Sequence, residues 1–240
     1  MKKFLSETPC VSRWPLLTAN LLTAMFYRLS PNLVLRSRWR PYRPRPGERV
    51  LVLRAPKAFP PSHPTTRLSL ELLTEALASP PRSAGFQPVI GKRLLDVGCG
   101  SGVLALAGAA LGAAFCLGVD LSRAATRRSR ENARDNGLAA AVHLVQGSTE
   151  CLRGPFEVVV ANLPWPVQVA KVAELDRLAA GTLILSGFRD VQEPQLLASY
   201  QGRGWSLKHR LYRDEWAIEM PPDRSFTWVA WLLGRPQDKR

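Results

Sequence analysis

A glycine-rich run flanked by acidic residues is the part of the sequence best suited to bind a reactive ligand. Residues 96–102 read Asp-Val-Gly-Cys-Gly-Ser-Gly, and Asp120 follows Gly98 by 22 residues. A glycine turn between a strand and a helix lets a ligand approach the backbone, and an acid ending the next strand can reach a ribose. The spacing predicts a nucleoside site at Asp96, Gly98, Gly100, Gly102 and Asp120.

The glycine spacing also distinguishes among nucleotide ligands. A dinucleotide fingerprint requires a glycine at position 103, where this chain has Val103, and no Walker-type lysine follows the turn. Asp96 adds a negative charge, which disfavours a phosphate and suits a ligand with a cationic group. The expected ligand is a nucleoside that carries a sulfonium, with Asp120 accepting hydrogen bonds from both ribose hydroxyls.

A second candidate group follows a predicted buried strand and reads Ala-Asn-Leu-Pro-Trp over residues 161–165. The carboxyl ends of parallel strands form the ligand crevice, so this group is expected to face the reacting methyl. The Asn162 side chain and the Leu163 carbonyl can accept hydrogen bonds from an attacking nitrogen. Pro164 stiffens the turn, and Trp165 offers an aromatic wall against a cation. These four residues are the predicted catalytic set, and no side chain stands out as a general base.

Alternating strands and helices are predicted from about residue 62 onward, which is typical of a parallel sheet covered on both faces. The uncharged stretch 97–119 is explained better by a strand, a glycine turn and a helix than by a membrane span. We therefore expect an α/β, doubly wound, mostly parallel seven-stranded sheet, ending in an antiparallel hairpin at its edge. The predicted strands are residues 93–98, 115–120, 142–146, 156–161, 182–186, 206–212 and 226–232. The predicted helices are residues 68–77, 103–111, 122–136, 167–179 and 192–200.

Basic residues are concentrated at the N-terminus of the chain. The formal net charge is +14, and residues 1–60 hold 12 basic and two acidic side chains. Because proline is dense over residues 36–46, we predict an N-terminal arm (1–60), extended at 36–46 and with a short helix at 14–27, before a catalytic domain (61–240). A basic arm favours acidic partners such as RNA or the ribosome.

Composition and residue spacing exclude a disordered protein and argue against a metal site, a disulfide scaffold and a phosphate site. Hydrophobic residues make up 46% of the chain and charged residues 22%, which excludes a wholly disordered protein. The four cysteines have neither zinc-ligand nor paired spacing, so no metal site and no disulfide scaffold is expected. Arg123, Arg127, Arg130 and Arg134 recur at helical spacing; they could grip phosphate, but a solvated helix face is the favoured interpretation.

Several motifs in one order resemble the PrmA-type ribosomal-protein lysine methyltransferases over about residues 40–220. They are His-Pro-Thr-Thr at 63–66, DVGCGSGVLALAGAALGA from residue 96, GVD at 118–120, VVANLPW at 159–165 and Leu-Ser-Gly at 185–187. The resemblance implies S-adenosylmethionine as cofactor and a Rossmann-like fold. It implies that Thr66, Gly98, Asp120 and Asn162 contact the cofactor, with Leu121 beside them.

The sequence also departs from that family pattern. A Gly-Thr-Gly stretch of the family is replaced in residues 55–62, and the N-terminal segment is shorter than the family's recognition domain. Asn-Leu-Pro-Trp is closer to the motif of adenine and glutamine amino-methyltransferases. Lysine methylation of a ribosomal or similar protein is the expected function, with adenine or glutamine methylation as the alternative. A cytoplasmic location is expected, or an organelle if residues 1–40 are a transit segment.

Overall fold

A computed structural model describes residues 26–38, 41–54, 63–77, 91–215 and 224–235. Within these residues the chain forms two sheets, six α-helices and two short 3-10 helices. The strands are β1 (Phe26–Ser30), β2 (Leu33–Ser37), β3 (Arg49–Leu53), β4 (Arg93–Val97), β5 (Phe115–Asp120), β6 (Val142–Gln146), β7 (Phe156–Asn162), β8 (Ala179–Arg189), β9 (Ser206–Asp214) and β10 (Thr227–Gly234). The helices are α1 (Pro64–Leu77), α2 (Val103–Ala110), α3 (Arg123–Asp135), α4 (Trp165–Ala170), α5 (Val172–Leu178) and α6 (Glu193–Gln201).

The larger sheet has seven strands in the order β6-β5-β4-β7-β8-β10-β9. The first five run parallel, and β10 is antiparallel to both β8 and β9. This confirms the predicted doubly wound sheet with an antiparallel edge. From β4 the chain continues through β5 and β6 on one side and then crosses to β7 on the other side of β4. The strand order reverses between β4 and β7, so a crevice opens at the carboxyl ends of these two strands.

Both faces of this sheet are buried, as expected where helices cover a parallel sheet on two sides. Alternate residues of each central strand enter two separate cores. The side chains on the face covered by α1 and α2 include Leu94, Val158, Val160 and Ile184. The side chains on the face covered by α5 include Leu95, Val159, Leu183 and Leu185.

The observed element bounds largely match those predicted. Strands β5 and β6 begin and end at the expected residues. Ser122 caps α3 by accepting a hydrogen bond from the Ala125 amide at 3.3 Å, and Gly137 follows the helix with a φ of 67°. A capping serine and a left-handed glycine are the usual signals for helix ends, which explains why this helix could be bounded from its sequence.

The single helix predicted at 167–179 is wrong. The chain forms α4 from Trp165 and α5 from Val172, because Lys171 lies between them with φ −101° and ψ 5°. Pro166 in the first turn of α4 favours the earlier start, since a proline there loses no helical hydrogen bond. Ala179 has extended backbone angles and starts β8 instead of ending a helix.

The smaller sheet lies within the segment predicted as an extended arm. Strand β2 pairs antiparallel with β1 and parallel with β3. The leucines of β2 and β3 are at most 2% exposed and join the core that also contains the buried side chains of α1 and α2: Leu33, Leu35, Leu51 and Leu53. Arg36 and Ser37 are extended, as predicted for 36–46, but they belong to β2 and are paired in a sheet, while residues 41–45 lack regular structure.

The short helix predicted at 14–27 is wrong where it can be compared. Its residues 14–25 lie outside the described residues, and residues 26 and 27 begin strand β1. The altered segment 55–62 also lies outside the described residues. The domain boundary at residue 60 stays a prediction.

The uncharged stretch 97–119 is divided between the end of β4, the glycine turn, α2 and most of β5. In the part of the chain that the structure describes, no helix has the length and apolar character that a membrane crossing requires. The prediction that this stretch is a strand, a turn and a helix is confirmed.

Candidate active site

The three glycines of the turn after β4 all have left-handed backbone angles but differ in what surrounds them. Their φ values are 70° at Gly98, 55° at Gly100 and 78° at Gly102. A Cβ on Gly98 would lie 2.4 Å from Leu163 Cδ2, and one on Gly102 would lie 2.8 Å from Ser129 Oγ. A Cβ on Gly100 would meet no atom nearer than 3.9 Å. The turn is thus packed against protein at two glycines and open at the middle one.

Asp120 is fixed beside this opening by two backbone amides, one of which belongs to the glycine turn. Its two carboxylate oxygens accept hydrogen bonds from the Gly100 amide at 2.9 Å and from the Ser122 amide at 2.8 Å. An ionised carboxylate has about four acceptor positions, so two remain for hydroxyl groups of a ligand. The next residue, Leu121, is 74% exposed and places an apolar side chain at the rim.

Asp96 lies beneath the turn and is only 1% exposed. Its carboxylate accepts a hydrogen bond from the Ala105 amide at 3.1 Å, in the first turn of α2. Burial raises the pKa of Asp96 to about 7; the Ala105 hydrogen bond opposes this shift and the nearby Asp120 charge adds to it. The observed hydrogen bond joins Asp96 to the helix, so it positions the glycine turn. A direct contact with a cofactor stays a prediction.

Two polar residues on the buried face of α3 hold the carbonyl groups of the turn. Ser129 Oγ donates to the Gly100 carbonyl at 3.0 Å, and Asn132 Nδ2 donates to the Ser101 carbonyl at 2.9 Å. Both residues are fully buried. The sequence analysis missed them, because the carbonyl groups that they bind lie 29 and 31 positions earlier in the chain.

Asn162 and Thr66, two residues predicted to contact the cofactor, are brought together although 96 positions separate them. Asn162 Nδ2 lies 3.3 Å from Thr66 Oγ1, so the end of β7 meets the first turn of α1. At the start of α1, His63 Nδ1 lies 2.8 Å from Thr65 Oγ1. The His-Pro-Thr-Thr motif therefore borders the crevice directly.

The turn that follows Asn162 is held by close backbone packing. The Leu163 amide donates to the Ser186 carbonyl at 3.1 Å. Gly187, with φ 97°, lies so near that a Cβ there would be 2.1 Å from the Leu163 carbonyl oxygen. Buried Gln168 donates from Nε2 to the Ala161 and Ser186 carbonyls at 2.8 and 2.7 Å. Gln168 was not predicted, and it fixes the ends of β7 and β8 relative to each other.

A pocket of about 160 Å³ opens beside this turn. The residues lining it are His63, Thr65, Asn162, Leu163, Pro164, Trp165, Gly187, Gln192 and Trp228. None of them is acidic, and two are tryptophans. The predicted catalytic residues thus share one pocket, and Trp228 is an addition that sequence reasoning missed because its strand lies far along the chain.

Trp228 is held in place by charged neighbours on its outer side. The Arg189 guanidinium carbon lies 3.4 Å from the Trp228 ring centroid, and Trp228 Nε1 donates to Glu215 at 2.5 Å. The His63 ring meets Trp228 edge-on with centroids 5.2 Å apart. Burial lowers the pKa of His63, Glu215 opposes that shift, and Arg189 reinforces it. His63 is therefore uncharged at neutral pH and does not repel a cation in the pocket.

The family model of Ribosomal protein L11 methyltransferase (PrmA) matches residues 25–220 of this chain. The match includes the glycine turn, Asp120, the Asn162 turn and the His-Pro-Thr-Thr motif. The chain belongs to this family. Membership confirms the resemblance seen in the motifs, together with the expected S-adenosylmethionine cofactor of the family.

Individual relatives agree with the family match. The chain is 38% identical over 193 residues to the ribosomal protein L11 methyltransferase of Syntrophotalea carbinolica, covering 79% of this chain and 60% of that protein. It is 41% identical over 142 residues to the Deinococcus radiodurans protein of the same name, covering 56% and 45%. The chain spans about 60% of the length of the first of these relatives.

A solved structure supports the fold over most of the chain. The crystal structure of a ribosomal protein L11 methylase from Lactobacillus delbrueckii subsp. bulgaricus superimposes with a TM-score of 0.69 at 25% identity. The superposition covers 88% of this chain and 98% of that chain. The seven-stranded sheet and its crevice therefore have the architecture of the family.

Proposed function

We propose that this protein transfers methyl groups from S-adenosylmethionine to lysine amines of a ribosomal protein. The observation that carries the proposal is that two half-sites adjoin at the carboxyl ends of the strands. The first half-site is the glycine turn with Asp120, and the second is the pocket beside the Asn162 turn. Gly98 of the nucleoside turn packs against Leu163 of the catalytic turn, while Asn162 of that turn is hydrogen-bonded to Thr66. A cofactor in the first half-site would present its reactive end to the pocket.

The residues of the first half-site fit the cofactor by shape and by hydrogen-bonding capacity. The open face of Gly100 admits a ligand against the backbone, and Asp120 retains acceptor positions suited to ribose hydroxyls. Exposed Leu121 offers an apolar surface for the adenine. When bound, S-adenosylmethionine supplies an electrophilic methyl group on a sulfonium.

The second half-site suits the aliphatic stem of a lysine. A lysine amine has a reference pKa of about 10.4, so its deprotonation at pH 7 costs about 4.6 kcal/mol. Desolvation lowers a lysine pKa, and the pocket is lined by Trp165, Trp228 and uncharged His63 without a carboxylate. The walls therefore favour the neutral amine, which is the nucleophilic form.

Positioning supplies the rest of the rate enhancement. The Asn162 side chain and the Leu163 carbonyl can accept hydrogen bonds from the amine and hold its lone pair toward the sulfonium. The Gln168 hydrogen bonds and the Gly187 contact keep this turn rigid. Holding two reactants in line can contribute roughly 7–11 kcal/mol to lowering a barrier, so no general base is required.

A ribosomal protein is proposed as substrate because the curated relatives are named for ribosomal protein L11. A cytoplasmic location is consistent with such a substrate. A division at residue 60 would place the small sheet outside the catalytic domain, where it is suited to recognise a partner. Adenine or glutamine methylation is the competing outcome, since Trp165 gives the turn an aromatic residue typical of those enzymes.

The test is a methyl-transfer assay with radiolabelled cofactor and purified ribosomal subunits, followed by separate nuclease and protease digestion. We expect label that survives nuclease and is recovered as methylated lysine after acid hydrolysis. Label lost with nuclease, or released as methylamine when acid hydrolysis cleaves a methylated glutamine amide, would refute the lysine proposal while leaving the cofactor site intact.

Two matched variants test whether this pocket binds the protein substrate. Trp228→Leu removes an aromatic wall without touching the glycine turn, so we expect a raised KM for the protein substrate and unchanged cofactor affinity. Tyr212→Leu is the control, since Tyr212 is a 62% exposed aromatic residue in β9 outside the pocket lining. Equal loss of activity in both variants would argue against the pocket.

A further inference from the structure

Gln192 lines the pocket beside the Asn162 turn, and the methyl transfer described above gives it no role. It ends the 3-10 helix Asp190–Gln192, which joins β8 to α6. Asp190 ties this segment to the residues just before β10, because its carboxylate accepts a hydrogen bond from Ser225 Oγ at 2.5 Å. The position of Gln192 at the pocket is therefore fixed by the backbone around it.

The side-chain amide of Gln192 also has a fixed orientation. Its Oε1 accepts a hydrogen bond from the Arg189 amide at 2.8 Å. Because a backbone N–H can only donate, the oxygen of the side-chain amide must face it, and the nitrogen occupies the other branch of the same planar group. This bond already restricts the rotamer, so little side-chain freedom is left to lose when a ligand binds.

The nitrogen of that amide is an available hydrogen-bond donor at the pocket wall. Nε2 of Gln192 donates to none of the described residues, and it is accessible rather than buried. A carboxamide nitrogen has two N–H groups and no charge. A ligand at the mouth of the pocket therefore meets a neutral, oriented donor.

The surface around this donor is uncharged where the structure describes it. No lysine, arginine or carboxylate lines the pocket, and His63 is neutral. Helix α4 extends the surface away from Trp165 with exposed apolar residues: Pro166, Val167, Val169 and Ala170. Arg189 lies against the Trp228 ring, but it is only 7% exposed. The mouth thus offers hydrogen bonding and apolar contact without an exposed cation.

These properties favour a polypeptide over a nucleic acid as the molecule at the mouth. Nucleic-acid binding depends mainly on arginine and lysine contacts to phosphates, and the described residues of the lining and of α4 provide none that is exposed. A peptide carbonyl is a neutral acceptor that flanks every lysine on both sides. The cofactor is a less suitable partner for Gln192, because β8 is separated by β7 from β4 and its glycine turn.

We propose that Gln192 Nε2 donates a hydrogen bond to a main-chain carbonyl of the substrate protein beside the target lysine. This contact fixes the peptide at the mouth and directs the lysine stem into the pocket. Gln192 is then a substrate-binding residue that favours a polypeptide over a nucleic acid. The inference rests on the proposed lysine methylation, since it assigns a contact to the main chain of the same substrate.

The test measures KM and kcat for methyl transfer to purified ribosomal subunits by the full chain and by three variants. Gln192→Glu keeps an oxygen for the Arg189 amide and replaces the donor with a second acceptor. Gln192→Met removes the amide at a similar side-chain length. Gln195→Glu is the control, because Gln195 is exposed in α6 outside the pocket lining and receives the same charge. Thermal unfolding and calorimetry verify the fold and the cofactor affinity of each variant.

We expect KM to rise about 20-fold in Gln192→Glu and about 5-fold in Gln192→Met, because both lose the hydrogen bond and the first sets two acceptors against each other. In Gln192→Met, kcat should be unchanged, and cofactor affinity should be unchanged in all variants. The direction for Gln192→Glu is decisive, since a carboxylate at the mouth without this contact would attract a lysine and lower KM. The control should keep KM within about twofold of the wild type.

The outcomes separate this inference from the proposed function. Methyl-lysine formed with a wild-type or lower KM in both Gln192 variants would overturn the inference and leave the proposed function standing. An equal rise in KM in Gln195→Glu would overturn it as well, because the effect would then come from charge alone. Label in ribosomal RNA with none in protein would overturn both proposals.

Discussion

At the scale of single residues, the glycine turn contains both structural and ligand-binding positions. Gly98 and Gly102 have positive φ, and a Cβ on either would also displace a neighbouring side chain, that of Leu163 or Ser129. Gly100 has the same left-handed backbone but open space over its Cα, as does Gly137 at the end of α3. These two glycines form a matched pair. An alanine at either position would have the same unfavourable backbone conformation, but only Gly100 lies in the proposed cofactor site.

Gly100→Ala and Gly137→Ala are each expected to lose about 1 kcal/mol of folding free energy, the approximate cost of placing alanine in the left-handed region. Gly100→Ala should in addition weaken S-adenosylmethionine binding by at least tenfold, because the methyl group would fill the space over the turn. Urea unfolding and isothermal titration calorimetry measure the two quantities. If both variants bind the cofactor like the wild type, the cofactor does not lie against Gly100.

The residues found from sequence were those with a local signature. The glycines and Asp120 were found because a strand, a turn and an acid at fixed spacing imply nucleoside binding. Asn132 and Gln168 were missed because their hydrogen bonds reach backbone groups 31 and 18 positions away, which no local pattern encodes. Trp228 was missed for the same reason, since β10 reaches the pocket only through its pairing with β8.

At the scale of elements, α1 is attached to edge strand β9 by two ion pairs of different pH dependence. His209 Nδ1 lies 2.7 Å from Glu75 Oε2, and Arg213 lies 3.1 Å from Glu71. The Glu75 hydrogen bond raises the pKa of His209, and partial burial opposes it. A raised pKa means that this pair stabilises the folded state fully below the unfolded pKa of histidine. The stabilisation is lost as pH rises through the folded pKa.

Glu75→Gln should therefore lower the free energy of unfolding by about 0.5 kcal/mol at pH 6 and by almost nothing at pH 9, since both partners are well exposed. Glu71→Gln is the control, because its arginine partner stays charged throughout, so its effect should be equal at the two pH values. Urea unfolding at each pH measures both differences. A Glu75→Gln effect that does not vary with pH would contradict the assignment.

At the scale of the whole molecule, the small N-terminal sheet is connected to the cofactor turn through α3. Asn132 Oδ1 accepts from the Arg54 amide at 2.9 Å while its Nδ2 donates to Ser101 in the turn. Asn136, one helical turn later, pairs with the Val52 amide and carbonyl at 2.7 and 2.8 Å. The two asparagines bind the backbone of β3 and of the residue after it much as a neighbouring strand would. Of the two, Asn132 alone contacts the glycine turn.

This arrangement predicts different outcomes for two similar substitutions. Asn132→Ala and Asn136→Ala each leave backbone groups near β3 without their partners, so both should lose about 2 kcal/mol of folding free energy. Asn132→Ala should also free the Ser101 carbonyl and weaken S-adenosylmethionine binding several-fold, whereas Asn136→Ala should leave cofactor affinity unchanged. Calorimetry at a temperature where both variants are folded separates the two effects. Equal cofactor affinities in the two variants would mean that the small sheet stabilises the fold without positioning the turn.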